Sequence, residues 1–183
     1  KKYFLMIRLP PISKQGLGRR HRQMCIRDKN VISAWEALER DAEVADKVAV
    51  IGGGKVGLVT AEHLASRGKE VWVVEPQKRV DYDVSTTFKW RHAAWVEEFG
   101  VNVLNLTEAV EVTEKGLLVK DEKGKQRLIE AGTIILAGPR KSIQDLATSL
   151  EYACDELYII GDAIQPRFMH RAIHEGYKLG ARL

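Results

Sequence analysis

Cysteine is scarce in this sequence of 183 residues, which contains Cys25 and Cys154 alone. Neither has a second thiol close by to form a CxxC pair, so these two residues cannot by themselves hold zinc or an iron–sulfur cluster, and a reducing cytoplasm is the expected compartment. Long apolar runs are missing as well. No stretch approaches the roughly 20 residues that a membrane-spanning helix needs, and no apolar segment near the start leads into a small-residue cleavage site, so neither a transmembrane helix nor a secretory signal is expected. Internal repeats and low-complexity tracts are absent too. Charge of one sign barely dominates, with 29 Lys and Arg against 25 Asp and Glu, a formal excess of +4. Much of that excess lies in Lys1, Lys2, Arg8, Lys14, Arg19, Arg20, Arg22 and Arg27. The rest of the chain is close to neutral, which argues against nucleic acid as a partner.

What is present is the composition of a soluble globular protein, 45% hydrophobic and 30% charged. The length allows one ordinary core, or one domain and a fragment of another. Residues 1–30 show no sustained periodicity, and the tract from Gly18 to Asp28 resembles translated sequencing-adapter text. These residues are therefore expected to be foreign sequence at a truncated end, with a basic disordered arm as the alternative. Order begins at Val31, where a short helical stretch to Leu38 is expected. Val48-Ala49-Val50-Ile51 is short, β-branched and stopped by glycine, as befits a buried strand. From Val56 to Arg67, Gly57, Ala61, Leu64 and Ala65 share one helical face, and Gly68 closes the helix. Val71 to Val74 is a second strand.

Further helices are expected over Thr86–Phe99, Ser142–Leu150 and Met169–Leu179, and buried strands over Val101–Leu104, Thr133–Ala137 and Leu157–Ile160. Between them, Val110–Thr113, Gly116–Lys120 and Gln126–Glu130 alternate around glycine-containing turns as a β-meander. The fold class is α/β, a Rossmann-like parallel sheet with helices on both faces and a meander.

Gly52-Gly53-Gly54-Lys55-Val56-Gly57 is a G-x-G-x-x-G sequence between a strand and a helix, the context that makes this pattern informative. Gly52 permits the tight turn, Gly54 lets a pyrophosphate approach backbone N–H groups, and Gly57 lets helix and strand pack closely. The helix start contributes unpaired N–H donors and the positive end of its dipole. Glu75 ends the second strand about 20 residues on, where a carboxylate accepts hydrogen bonds from ribose hydroxyls. A P-loop is excluded because Lys55 is followed by Val56 and not by Ser or Thr. A glycine turn without ligand and a methyltransferase fingerprint remain as alternatives.

The segment from Val31 through this glycine turn to Glu75, with Ile160-Gly161-Asp162-Ala163-Ile164-Gln165-Pro166-Arg167 and Ala172-Ile173-His174-Glu175-Gly176, resembles the C-terminal part of the multidomain NADH:flavin oxidoreductases. These are the relatives of old yellow enzyme that include 2,4-dienoyl-CoA reductase and trimethylamine dehydrogenase. The resemblance covers about residues 29–183. It implies an NAD(P)H-binding domain over 31–150, and a return over 151–183 to finish an FAD-binding domain, like that of the pyridine nucleotide-disulfide reductases. It also implies an upstream barrel with FMN and a four-iron cluster, the missing half of the FAD domain, and hydride delivery from NAD(P)H to FAD. By the same resemblance, Asp162 approaches FAD with Gly161 giving access, and Gly138 is a second glycine turn facing the dinucleotide. Two departures stand out: Val59 replaces a Glu frequent in that family, and Gly16-Leu17-Gly18 fails as an FAD fingerprint. In some relatives the inserted domain holds ADP and no hydride donor, so a non-catalytic ADP- or NAD-binding module is the competing reading.

No catalytic acid or base is assigned, because the chemistry belongs to the cofactors. His63, His92, His170 and His174 are expected in surface or packing roles, His170 and His174 lacking a third metal ligand nearby. Trp72, Trp90 and Trp95 are expected in the core, and Cys154 as a small buried hydrophobe. Lys78 and Arg79 could reach a 2′-phosphate or be a solvated loop.

Overall fold

The protein is described by a computed structural model over residues 2–5, 30–39 and 44–183. In chain order the elements are β1 (Lys2–Leu5), β2 (Val31–Ser33), α1 (Ala34–Glu39), β3 (Lys47–Ile51), α2 (Lys55–Ser66), β4 (Glu70–Val74), α3 (Thr86–Glu98) and β5 (Asn102–Leu104). There follow β6 (Thr107–Thr113), β7 (Gly116–Asp121), β8 (Gln126–Glu130), β9 (Thr133–Leu136), α4 (Asp145–Leu150), β10 (Glu156–Ile159) and α5 (Met169–Gly180). The chain forms two compact units, one of Arg19–Pro139 and one of Lys1–Gly18 with Arg140–Leu183. Arg140 to Leu150, grouped with the first domain in the sequence reading, thus clusters with the C-terminal segment.

The larger unit is built on a parallel sheet in the order β2-β9-β3-β4-β5. Val48, Val50, Val71, Val73 and Ile135 are essentially inaccessible. Strands covered on both faces carry continuous apolar sequence rather than alternation, which is why these runs were legible. Gly57, Ala61, Leu64 and Ala65 are all buried, as the periodicity of α2 requires. The meander β6-β7-β8 is antiparallel, with a register shift between Ala109 and Glu111.

Order in this sheet reverses at β3. The chain proceeds from β3 to β4 and β5 on one side, then returns through β9 on the other. Such a switch point opens a crevice beyond the carboxyl ends of the strands, where α/β proteins bind ligands. Gly52 follows β3 and Gly138 lies just after β9, so both stand at that crevice.

In the smaller unit β1 pairs in parallel with β10, from Lys2 opposite Glu156 to Leu5 opposite Ile159. The expectation of no ordered element before Asn30 is corrected for these four residues; the tract Gly18–Asp28 and the Gly16-Leu17-Gly18 sequence lie outside the described residues. A second correction concerns Val31 to Leu38. The structure divides this stretch into β2 and α1, because Val31, Ile32 and Ser33 pair with Ile134, Ile135 and Leu136 and the helix starts only at Ala34. Ser33 and Glu36 mark that start reciprocally: Glu36 Oε2 accepts the Ser33 N–H at 2.8 Å, and Ser33 Oγ accepts the Glu36 N–H at 3.1 Å, the two halves of a capping box.

α5 has no buried residue, and every residue of β10 is only half-buried. Opening free energies follow burial and contact density. In hydrogen-exchange mass spectrometry, the amides of β3, β4 and β9 should therefore exchange last and those of β10 and α5 much earlier. Equal protection in both sets would refute this ordering.

Candidate functional site

Three backbone constraints shape the turn between β3 and α2. Gly52 has φ +110°, in the region that L side chains rarely adopt, and a Cβ there would lie 2.7 Å from the Ala137 carbonyl oxygen and 3.1 Å from Gly138 N. Gly57 is closer still: a Cβ would stand 1.8 Å from the Gly52 carbonyl oxygen. Gly54 has ordinary dihedrals, φ −71° and ψ −178°. The atoms nearest a Cβ there are side-chain ends, the Tyr82 hydroxyl at 3.0 Å and the Asp83 carboxylate oxygens at 3.1 and 3.2 Å. The first and third glycines therefore serve packing, while Gly54 keeps a face clear of Cβ. This division matches the glycine roles of dinucleotide turns.

Glu75 is 2% exposed. Its Oε2 accepts the Gly53 N–H at 2.6 Å and its Oε1 accepts the Gln77 N–H at 2.9 Å. The carboxylate at the end of β4 is thereby joined to the glycine turn at the end of β3. Charged hydrogen bonds of this length are what make a buried carboxylate tolerable. Gly52, Gly53, Gly54, Lys55, Val56, Gly57, Glu75 and Gly138 all fall in the larger unit. Lys78 and Arg79 are exposed, and Arg79 lies 4.0 Å from Asp81 Oδ2. A cavity of about 300 Å³ on the meander is lined by Thr107, Val119, Asp121, Lys125 and Arg127, and contains none of the sequence-predicted residues.

Gly161 and Asp162 lie in the smaller unit. Gly161 has φ +66° and opens a single 3₁₀ turn, Gly161–Ala163. Its N–H is bonded to Glu175 Oε2 at 2.8 Å, and Glu175 also pairs with Arg167. The Gly161 N–H, with the Arg167 and Arg171 guanidinium groups, holds the Glu175 carboxyl below the usual carboxylate range. Asp162 Oδ2 lies 3.3 Å from Arg140 Nη1, and Oδ1 accepts the Arg167 N–H at 3.2 Å.

Two features escaped the sequence reading. Asp83 Oδ1 accepts the N–H of Lys55, the first residue of α2, at 2.6 Å. On the far side of α2, Glu62 and His92 are 5% and 8% exposed, with His92 Nδ1 2.8 Å from Glu62 Oε1. Burial pushes the Glu62 carboxyl up, opposed by the His92 hydrogen bond. Neither pairing has a local signal, since the partners are separated by 28 and 30 residues. Trp90, expected in the core, is 69% exposed, because the inward face of α3 is set by His92. Trp95 is half-buried, with the Arg91 guanidinium 4.7 Å from its ring centroid, and Trp72 is half-buried with Arg127 at 5.6 Å. Cys154 is half-buried rather than buried, its thiol donating to the Leu150 carbonyl at 3.0 Å. His170 and His174 are exposed on α5.

The pyridine nucleotide-disulphide oxidoreductase family matches residues 8–176. A metal reductase of Desulforamulus reducens is 30% identical over 176 residues, which cover 80% of this chain and 26% of that protein. A bilirubin reductase of Mediterraneibacter gnavus is 30% identical over 81% of this chain and 23% of its own length. Among solved structures, a 2-naphthoyl-CoA reductase in complex with 2-naphthoyl-CoA superposes with a TM-score of 0.75 at 30% identity, over 85% of this chain and 24% of that one. The chain thus spans about a quarter of the length of the relatives it matches.

The contact between Gly57 and the Gly52 carbonyl gives a stability prediction. In an ordinary helix interior, Gly→Ala stabilises by about 1 kcal/mol. Here Gly57→Ala should instead lose roughly 2 kcal/mol or more, because main-chain atoms must move apart. Urea denaturation checks this, and an unchanged or higher midpoint would refute it.

Proposed function

The chain belongs to the pyridine nucleotide-disulphide oxidoreductase family, and from that premise we propose that it is the NAD(P)H-binding module of a flavin-dependent oxidoreductase, delivering hydride from NAD(P)H to FAD. The observation that carries this reading is the Gly53–Glu75 hydrogen bond of 2.6 Å, which ties a pyrophosphate-type glycine turn to a ribose-type carboxylate at the switch point of a parallel sheet. In this proposal the nucleotide-binding domain runs from residue 31 to Pro139, and Arg140–Leu183 is the closing piece of an FAD domain. An upstream barrel with FMN and a four-iron cluster, the other half of the FAD domain, and a cytoplasmic location belong to the same proposal. Relatives about four times as long support it. Among the described residues, no helix is long and apolar enough to cross a membrane.

When bound, NAD(P)H donates the hydride and FAD accepts it. The residues of this chain bind and orient. Gly54 keeps the approach to the start of α2 free of Cβ, and the N–H groups of Lys55 and Val56, with the positive end of the helix dipole, would hold a pyrophosphate. Glu75, fixed by its two N–H donors, has remaining lone pairs for ribose hydroxyls. Gly138, with no atom within 4 Å of the position its Cβ would occupy, leaves the opposite wall of the crevice open. In the other unit, Gly161 and Asp162 are the residues that would meet FAD, and Arg140 and Arg167 orient the Asp162 carboxylate.

Gly54→Val tests the reading. The atoms nearest its Cβ are the ends of the Tyr82 and Asp83 side chains and no main-chain atom, so the protein should fold while its NADH affinity falls more than about tenfold, the equivalent of some 1.4 kcal/mol. Unchanged affinity in a folded variant would sink the proposal.

Cofactor preference gives a further test. The buried Glu75 carboxylate accepts hydroxyls and opposes a 2′-phosphate, while Arg79 is partly engaged by Asp81. Fluorescence titration should therefore show NADH binding more tightly than NADPH. The reverse order would mean that Lys78 and Arg79 outweigh Glu75.

A further inference from the structure

The segment from Val80 to Val84 lies across the glycine turn and is fastened to it on both sides of Gly54. Asp81 N–H donates to the Gly53 carbonyl at 2.8 Å, and Asp83 Oδ1 accepts the Lys55 N–H at 2.6 Å. Between these bonds the Tyr82 hydroxyl and both Asp83 carboxylate oxygens stand about 3 Å from where a Gly54 Cβ would be. Val80 closes over Gly53, its Cγ1 2.4 Å from the position of a Cβ there. Asp81 stands in the left-handed region at φ +66°, and its carboxylate lies 3.3 Å from Lys89 Nζ. Val84 is buried and anchors the far end.

Lys55 opens α2, so its N–H has no acceptor within the helix and belongs to the set a bound pyrophosphate uses. An anion already sits there. A carboxylate and a pyrophosphate cannot share one donor set in close contact, because two anions would face each other across a few ångströms. The face of Gly54 that lacks a Cβ, the face a pyrophosphate needs, is also the face that Tyr82 and Asp83 fill.

Resting on the dinucleotide reading above, we propose that the strap Val80–Val84 is an intramolecular competitor for the nucleotide site: the Asp83 carboxylate occupies the pyrophosphate position, and the dinucleotide binds only when the strap gives way. The bonds of Asp81 to Gly53 and of Asp83 to Lys55 then break together, because the two residues are neighbours on a short segment. Apparent affinity is the intrinsic affinity reduced by the fraction of molecules with the strap open. The strap sets the concentration at which the module loads without contacting any reacting atom.

Titrating the full chain with NADH, with ADP-ribose and with adenosine, in the wild type, Asp83→Asn and Asp83→Ala, tests this. Melting curves without nucleotide are recorded alongside. Loss of the carboxylate should raise affinity for NADH and ADP-ribose roughly tenfold, as for a strap closed about nine-tenths of the time. Affinity for adenosine, which carries no phosphate, should not change. The melting temperature should fall in the same variants, since the start of α2 loses its anion. Falling stability with rising affinity separates a competitor from a purely structural cap. Wild-type binding with equal or weaker ADP-ribose affinity in the variants overturns the proposal alone. Absence of NADH and ADP-ribose binding in every protein, wild type included, overturns the dinucleotide reading and the proposal with it. Should the variants fail to fold, hydrogen exchange of the wild type decides: with saturating ADP-ribose the Asp81 amide should exchange faster, and slower exchange there would overturn the proposal.

Discussion

A carboxylate taken out of water must find donors for its lone pairs, and Glu75 finds them in the backbone N–H groups of Gly53 and Gln77. Much of the larger unit is arranged around that requirement. The bond to Gly53 holds the glycine turn against the end of β4. The turn in turn can come so close only because Gly57 lets α2 descend onto the Gly52 carbonyl. Replacing the carboxylate by an apolar group would leave the buried Gly53 donor unpaired, so charge and turn geometry stand or fall together. The same carboxylate helps keep Tyr82 in its phenol form, burial being the larger cause and the charges of Glu75 and Asp83 adding to it.

The two units differ in how their polar groups are satisfied. Around the glycine turn, short hydrogen bonds run between backbone and carboxylates at the edge of a dense apolar sheet. In the C-terminal unit the polar groups bond one another: Asp162 with Arg140 and Arg167, Glu175 with Gly161 and Arg167. Such a ring of charges fixes the Gly161 turn without much apolar support, and α5 lies beside it with Met169, Ile173 and Tyr177 exposed. Partly exposed charge pairs contribute little to stability, so this unit relies on geometry more than on burial.

The parallel strands were readable because burial on both faces leaves an unbroken apolar run, and the glycine turn because its strand and helix context restricts what three glycines can mean. Val31–Ser33 was misread as helix since a stretch so short carries no period; only pairing with Ile134, Ile135 and Leu136 makes it a strand. Trp90 is expected inside on the ordinary burial tendency of tryptophan, whereas the buried position of α3 goes to His92, whose partner Glu62 lies on another helix. Asp83 was invisible for a related reason. An acidic residue in a loop reads as solvated until the fold carries it to a helix start distant in sequence.

The Glu62–His92 pair pins α3 to α2, and Glu75 pins the end of β4 to the glycine turn. The backbone from Pro76 to Ser85 runs between these two clamps and is itself bonded to the glycine turn through Asp81 and Asp83. Changes along it act on the start of α2 as well as on nucleotide loading, while the pairing of β3 with β4 and β9 involves none of its residues.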